Sequence, residues 1–235
     1  MTVFESRPAV SENLMISGYF RLKDFWSALT HIAGFLAAIV AMPFLMLKGY
    51  LAQNETVSMV SYMVYMLSMI LLYGASSAYH SFNISDKANL LLKKIDHLSI
   101  FILIAGTYTP VCVIAIEKPL GWIMLAAVWG IALAGIVFKL FYVTCPKWVS
   151  SVIYTAMGWV CIFALPQLLK SLSTGAFIWL LAGGILYSLG AVIYALRPKF
   201  LSNPRFGSHE VFHCFVLAGT FCHFIVVCGF LTMIG

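Results

Sequence analysis

Charged residues are sparse along this chain and separate long, almost uniformly apolar stretches. Seven of these stretches contain no Asp, Glu, Lys or Arg over about 20 residues, the length that an α-helix needs to cross ~30 Å of hydrocarbon. Because backbone groups in lipid must be hydrogen-bonded within the protein, each stretch is predicted to be a helix. The predicted spans are approximately 25–47, 57–80, 96–116, 119–138, 148–169, 174–196 and 209–233.

The stretches do not alternate polar and apolar residues, as the strands of a membrane β-barrel would. The sequence therefore predicts an all-α integral membrane protein, a bundle of seven transmembrane helices. Residues 1–24 are predicted to form a cytoplasmic N-terminal segment, and residues 25–235 a single membrane domain.

Composition supports the same class of protein. Apolar residues make up 62% of the chain and charged residues only 9%, whereas soluble proteins carry about 25% charged residues. So little charge cannot cover a water-facing surface, which excludes a soluble globular protein. The six cysteines form no C-x-x-C pair and lie mostly within predicted spans, so we interpret them as small packing residues.

The positions of Lys and Arg predict the orientation, because cytoplasmic loops carry an excess of basic residues. Only three basic residues fall at one face of the predicted bundle: Lys48, Lys118 and Lys170. Eleven fall at the other face: Arg7, Arg21, Lys23, Lys87, Lys93, Lys94, Lys139, Lys147, Arg197, Lys199 and Arg205. The N-terminus is therefore predicted to be cytoplasmic and the C-terminus to lie outside.

The basic residues form no patch with a nucleic-acid-binding motif, so nucleic acid is not an expected partner.

Ionisable side chains within membrane spans are costly and by default indicate function. Three segments bring such residues to the cytoplasmic ends of their spans. His80 ends the second span, Asp96 opens the third, and His209 and His213 open the seventh. The orientation was predicted from Lys and Arg alone. The meeting of these residues at one face was therefore not built into that prediction.

His209 and His213 are four residues apart, so both imidazoles project from one face of a helix. With His80 they make three nitrogen ligands, the usual protein contribution to a zinc site with an open fourth position. Asp96 could bind the ion directly or accept a hydrogen bond from water in that position. Ser76 precedes His80 by one helical turn and could contact the same water or a substrate oxygen. The imidazoles are therefore the predicted zinc ligands, and Asp96 and Ser76 the predicted catalytic residues.

The other histidines receive different interpretations. A single histidine in a helical bundle is usually an interhelical hydrogen-bonding residue, which is the expectation for His31 and His223. His223 also lies about 15 Å along the helix from His213, too deep to join the cluster. His97 follows Asp96 but points about 100° away from it, so it is expected to support the site rather than to bind the ion.

Residues 209–213 also spell H-E-x-x-H, which in metalloproteases supplies two zinc ligands and a glutamate base. A protease is disfavoured because no later aspartate occurs in the L-D-G or N-P-D-G context that would complete an intramembrane protease site. Glu210 lies at the start of a predicted helix, where its charge complements the positive end of the helix dipole.

Three motifs together resemble those of the hemolysin III family, which is grouped with the progestin and adiponectin receptors and, more distantly, with the alkaline ceramidases. Residues 76–80 (SSAYH) resemble the S-x-x-x-H motif of that family. Residues 94–97 (KIDH), followed by residues 104–110 (IAGTYTP), resemble its second signature, and residues 209–213 resemble its third. Their order and spacing agree over nearly the whole chain.

The resemblance implies a seven-helix fold with a cytoplasmic N-terminus. It also implies a zinc ion bound by His80, His209 and His213, with Asp96 reaching it through water and Ser76 beside it. The receptor branch resembles lipid amidases that act on ceramide-like substrates. The hemolysin name implies membrane lysis, but no pore-forming segment is recognisable.

Two functions remain open, with transport as a weaker third. The first is a zinc-dependent hydrolase of an amide or ester bond in a membrane lipid of the cell membrane, with Asp96 as general base. The second is a non-enzymatic membrane-homeostasis, sensor or hemolysin-type protein in which zinc joins spans two and seven. A transporter would be expected to contain internal repeats, and none is evident.

Overall fold

A computed structural model describes residues 22–203 and 206–235. The N-terminal segment predicted for residues 1–24 falls almost entirely outside the described residues. Eight α-helices occur in the described part: α1 (Phe25–Leu51), α2 (Thr56–Ser81), α3 (Asp86–Pro110), α4 (Leu120–Phe141), α5 (Lys147–Gly158), α6 (Leu165–Ser171), α7 (Thr174–Leu196) and α8 (Ser208–Ile225).

Short π and 3₁₀ turns extend or connect several of these helices. The π turns Val111–Ala115 and Val226–Phe230 continue α3 and α8, and the 3₁₀ turn Val160–Ala164 joins α5 to α6. With these extensions, seven segments of the described chain are long and apolar enough to cross a membrane. The predicted all-α bundle of seven transmembrane helices is therefore confirmed.

The helix that carries the third span is longer than the predicted span. The third span was expected to open near Asp96, but α3 begins at Asp86, where the Ser85 hydroxyl accepts a hydrogen bond from the amide of Ala88 at 3.3 Å. An uncharged stretch marks only the part of a helix that fits in hydrocarbon. The helix itself can begin earlier, in the polar region beside the membrane, as α3 does. Asp96 thus lies almost three turns inside α3.

The fifth span is interrupted where α5 gives way to the 3₁₀ turn. The Tyr108 hydroxyl lies at this break, donating to the Gly158 carbonyl at 2.6 Å and accepting from the Cys161 amide at 2.8 Å. Irregular backbone at membrane depth requires such internal partners, because lipid offers none. Tyr108 therefore stabilises this interruption of the fifth span.

The core of the bundle is centred on α2, which packs against α1 and α3, while α8 packs against α7 and α1. Its fully buried large side chains include Tyr62, Tyr65, Tyr73 and Phe101. At Gly106 a side chain would overlap Ser68 of α2, so the glycine permits the close approach of α2 and α3. This packing brings the end of α2 and the beginnings of α1, α3 and α8 to one end of the bundle, the histidine end.

Candidate metal centre

Three imidazoles meet at the histidine end of the bundle. His80 lies in the last turn of α2, and His209 and His213 lie in the first two turns of α8. Each offers one ring nitrogen, and the three nitrogens lie within 4.8 Å of one another, forming a group that could hold a metal ion. The convergence predicted from the sequence is thus present, while the identity of the metal stays a prediction.

The spacing of two ring nitrogens fits a tetrahedral ion. Nε2 of His80 and Nε2 of His209 lie 3.2 Å apart. Two nitrogen ligands at about 2.0–2.1 Å from a tetrahedral zinc ion would be separated by about 3.3 Å. The separation of these two nitrogens is therefore compatible with two ligands of one metal ion, whose identity stays a prediction.

Asp24 fixes the orientation of His80. Its carboxylate oxygen Oδ2 lies 3.0 Å from Nδ1 of His80. When Nδ1 carries the proton and donates it to the carboxylate, the lone pair of Nε2 faces His209. Asp24 was not among the predicted site residues, although it lies directly before the first span and therefore at the same predicted face as His80, which ends the second span.

The backbone around Asp24 is also held against α2. The Asp24 amide donates to the His80 carbonyl at 2.9 Å, and the Lys23 amide donates to the Ser81 carbonyl at 3.3 Å. The Lys23 ammonium lies 3.8 Å from the ring centroid of Tyr79. Partial burial lowers the pKa of Lys23 from its ordinary value, against the opposing effect of Asp24. This short segment therefore holds the partly solvent-exposed Asp24 carboxylate beside the buried ring of His80.

His213 is oriented by Thr30 of α1. The Thr30 hydroxyl donates toward the carbonyls of Trp26 and Ser27, each at 3.0 Å, and lies 3.3 Å from Nδ1 of His213. Because its hydrogen is directed to the backbone, the hydroxyl accepts from Nδ1, which leaves the lone pair on Nε2 of His213. Such partners are typical of histidines that bind metals.

Glu210 is engaged in structural contacts rather than aimed at the imidazoles. Its Oε1 accepts from the Ser27 hydroxyl at 2.8 Å, and its Oε2 accepts from the Gly207 amide at 2.8 Å. The second contact is the glutamate half of a helix capping box. The interpretation of Glu210 as a helix-start residue therefore agrees with its contacts, whereas a metalloprotease base would face the ion.

Asp96 and Ser76 are both buried and line the same cavity as the three histidines. Asp96 does not belong to the tight group of ligand nitrogens, and its Oδ2 lies 3.8 Å from Nδ1 of His97. His97 in turn has Nδ1 2.7 Å from the Lys93 carbonyl. Asp96 therefore lines the same cavity as the three imidazoles but is not a fourth member of the group.

The expectation of interhelical hydrogen bonds for His31 and His223 was wrong. Both residues are buried, and neither ring makes a hydrogen bond to any described residue. His31 instead stacks on His213, with ring centroids 3.6 Å apart and an interplanar angle of 9°. The ring of His223 lies 5.3 Å from that of Tyr187, outside the tight group, as its depth predicted. His31 therefore packs directly against a candidate ligand, a contact that no spacing rule indicates.

A cavity of about 1100 Å³ extends from the histidines into the bundle. Its polar end contains Asp24, Asp96 and the three imidazoles, and its deeper wall is formed by residues such as Leu103, Leu168 and Phe177. An amphiphile with one polar end would match this division. The fold and the site together define a seven-helix membrane protein with a buried three-histidine centre that opens into a largely apolar cavity.

Comparison with known proteins identifies the family of this protein. The sequence profile of a family described as haemolysin-III related matches residues 20–224. The chain therefore belongs to the haemolysin-III related family, as its motifs predicted, and is a multi-pass protein of the cell membrane.

Several relatives span most of the chain. Hemolysin-3 of Bacillus cereus is 37% identical over 93% of this chain and 96% of its own length. A hemolysin-3 homolog of Bacillus subtilis is 38% identical over 87% of this chain and 92% of its own length. An adiponectin receptor protein of Drosophila melanogaster is 23% identical over 83% of this chain and 48% of its own length. No solved structure matches the chain.

Proposed function

We propose that this protein is a zinc-dependent hydrolase that cleaves an amide or ester bond in a membrane lipid. The observation that carries the proposal is the position of the buried histidines at the polar end of an otherwise apolar cavity of about 1100 Å³. His80, His209 and His213 would hold the ion. When bound there, zinc supplies Lewis acidity toward a carbonyl group and toward water.

The remaining residues have separate tasks. The Asp96 carboxylate accepts the proton from the attacking water as general base and later returns it to the leaving group. Ser76, one turn deeper than His80 on α2, donates a hydrogen bond that orients an oxygen of the substrate. Asp24 and Thr30 hold the rings of His80 and His213 in the tautomers that their hydrogen bonds require. The apolar wall excludes bulk water from the acyl chain.

Three protein ligands rather than four favour a catalytic zinc ion over a purely structural one. Structural zinc sites usually have four protein ligands, whereas catalytic sites have three and an open position. Among the described residues, the group that could hold an ion contains three. The alternative function is a non-enzymatic protein in which zinc joins α2 to α8. The names of the bacterial relatives favour a membrane-lytic form of this alternative.

The experiment is hydrolysis by the purified full-length protein. Zinc content is measured first, and release of fatty acid is then followed from a panel of lipid amides and esters, with and without a chelator. Zinc-dependent release that is absent from the His209→Ala protein would support the hydrolase. Stoichiometric zinc with no release from any lipid, together with a large loss of thermal stability on chelation, would favour the structural alternative.

A further inference from the structure

A buried lysine lies outside the three-histidine centre but lines the same cavity. Lys139 occupies the last turn of α4, at the histidine end, and is only 1% exposed. Lysines near the ends of membrane helices ordinarily extend toward the head groups and water. Lys139 turns inward instead, so its position requires an explanation other than anchoring at the membrane surface.

The contacts of Lys139 leave its charge without a carboxylate partner. Its ammonium nitrogen donates to the Ser150 hydroxyl at 2.6 Å and to the Cys145 sulfur at 3.1 Å, both neutral groups. No ion pair of Lys139 occurs within the described residues. An ammonium has three hydrogens, of which these contacts use two. A buried charge is costly unless an opposite charge accompanies it, so an anion in the cavity would stabilise this arrangement.

The neighbouring helix adds further donors. The Ser151 hydroxyl is buried and makes no hydrogen bond to a described residue, although the residue lines the cavity. Ser150 and Ser151 belong to the N-terminal part of α5, which begins at Lys147, and both Pro146 and Lys147 line the cavity. The amide groups at a helix N-terminus carry partial positive charge that favours an anion.

We propose that Lys139, Ser150 and Ser151 form a phosphate-binding subsite for the head group of an anionic phospholipid whose acyl chains occupy the same cavity. A phosphate presents several strong acceptor oxygens and can use the ammonium, both hydroxyls and the helix N-terminus together. Compared with a carboxylate, a phosphate monoester carries more negative charge and a third terminal oxygen, so it suits an ammonium surrounded by several donors better. The inference rests on the proposed function and makes it more specific, because it assigns the substrate to anionic phospholipids.

Lipid binding to the zinc-loaded full-length protein tests the subsite without requiring turnover. Dioleoyl phosphatidic acid and dioleoylglycerol are compared in a neutral detergent, since they differ only in the phosphate. We expect Lys139→Met to weaken phosphatidic acid binding at least about tenfold and Ser151→Ala a few-fold, the usual scale for hydrogen bonds to charged groups. Diacylglycerol binding should not change. Lys139→Arg should retain much of the affinity.

Lys87→Met is the matched control, because Lys87 is exposed and does not line the cavity. Phosphatidic acid binding should be unchanged in this variant. Ser151→Ala removes a hydroxyl that makes no internal hydrogen bond, so it keeps the test valid if Lys139→Met is poorly folded. Equal affinity for the two lipids, or phosphatidic acid binding unaffected in both Lys139→Met and Ser151→Ala, would overturn the proposal.

Two further ligands, inorganic phosphate and oleate, test the assignment to a phospholipid. Inorganic phosphate that binds as tightly as phosphatidic acid would overturn the lipid assignment. Oleate that binds tightly with the same dependence on Lys139 would overturn the preference for phosphate over carboxylate. Zinc content is measured on every sample. Binding that depends on Lys139 in a protein that hydrolyses no lipid would support the subsite and count against the hydrolase, so the two failures are distinguishable.

Discussion

The Asp24 carboxylate lies 3.0 Å from Nδ1 of His80 and joins the chain before α1 to the last turn of α2. A carboxylate in this position selects the tautomer and makes the opposite ring nitrogen a better ligand. The backbone hydrogen bond from the Asp24 amide to the His80 carbonyl holds the two residues side by side. Asp24 is therefore a member of the candidate centre that only the structure reveals.

Removing this carboxylate should weaken zinc binding without abolishing it. We expect Asp24→Ala to lower zinc affinity by about 10–100-fold, the usual effect of losing a partner of a metal-binding histidine. Asp86→Ala is the control, because Asp86 is an exposed carboxylate at the start of α3. Competition with a chromophoric chelator measures both variants. Equal affinity in the wild type and Asp24→Ala would show that the pair does not support a metal.

Zinc content should depend on three of the histidines. Wild-type protein should carry about one zinc per chain, as a single three-imidazole site requires. His80→Ala, His209→Ala and His213→Ala should each lose most of it, as measured by elemental analysis of the purified proteins. His223→Ala should retain it, since His223 is buried away from the group. Loss of zinc from His223→Ala with retention in His80→Ala would mean that the ligands were misassigned.

Asp96 separates catalysis from structural metal binding. If it is the general base, Asp96→Asn should keep much of its zinc and its melting temperature but lose about 10²–10⁴ of the hydrolysis rate. If Asp96 instead binds the ion, the same change should lower zinc affinity and thermal stability together. Asp86→Asn provides a carboxylate control. Full hydrolytic activity in Asp96→Asn would rule out the proposed role.

The orientation predicted from basic residues can be measured with fusions. A reporter enzyme that is active only outside the cytoplasm should be active when fused after Gly235 and silent when fused after Lys94. The reason is the large excess of Lys and Arg at the histidine end. The opposite pattern of activity would place the candidate centre at the outer face of the membrane.

The sequence by itself determined the class of fold. Charge-free stretches of membrane length have few alternatives, because backbone groups in lipid must pair within a helix or a closed barrel. It also predicted the meeting of His80 with His209 and His213, since alternating spans bring every second loop to the same side. Those inferences use only order, spacing and composition, which can be read along the chain without knowing how the helices pack.

Only the tertiary structure decided what surrounds those residues. Two contacts join residues far apart in sequence: that of Asp24 with His80 and the stacking of His31 on His213. The inward direction of Lys139 depends on how α4 is rotated about its axis. Helix rotation and side-chain direction follow from packing against neighbours, which no single segment encodes. The cavity likewise exists only between helices, so its volume and its polar end could not be predicted from any stretch of the sequence.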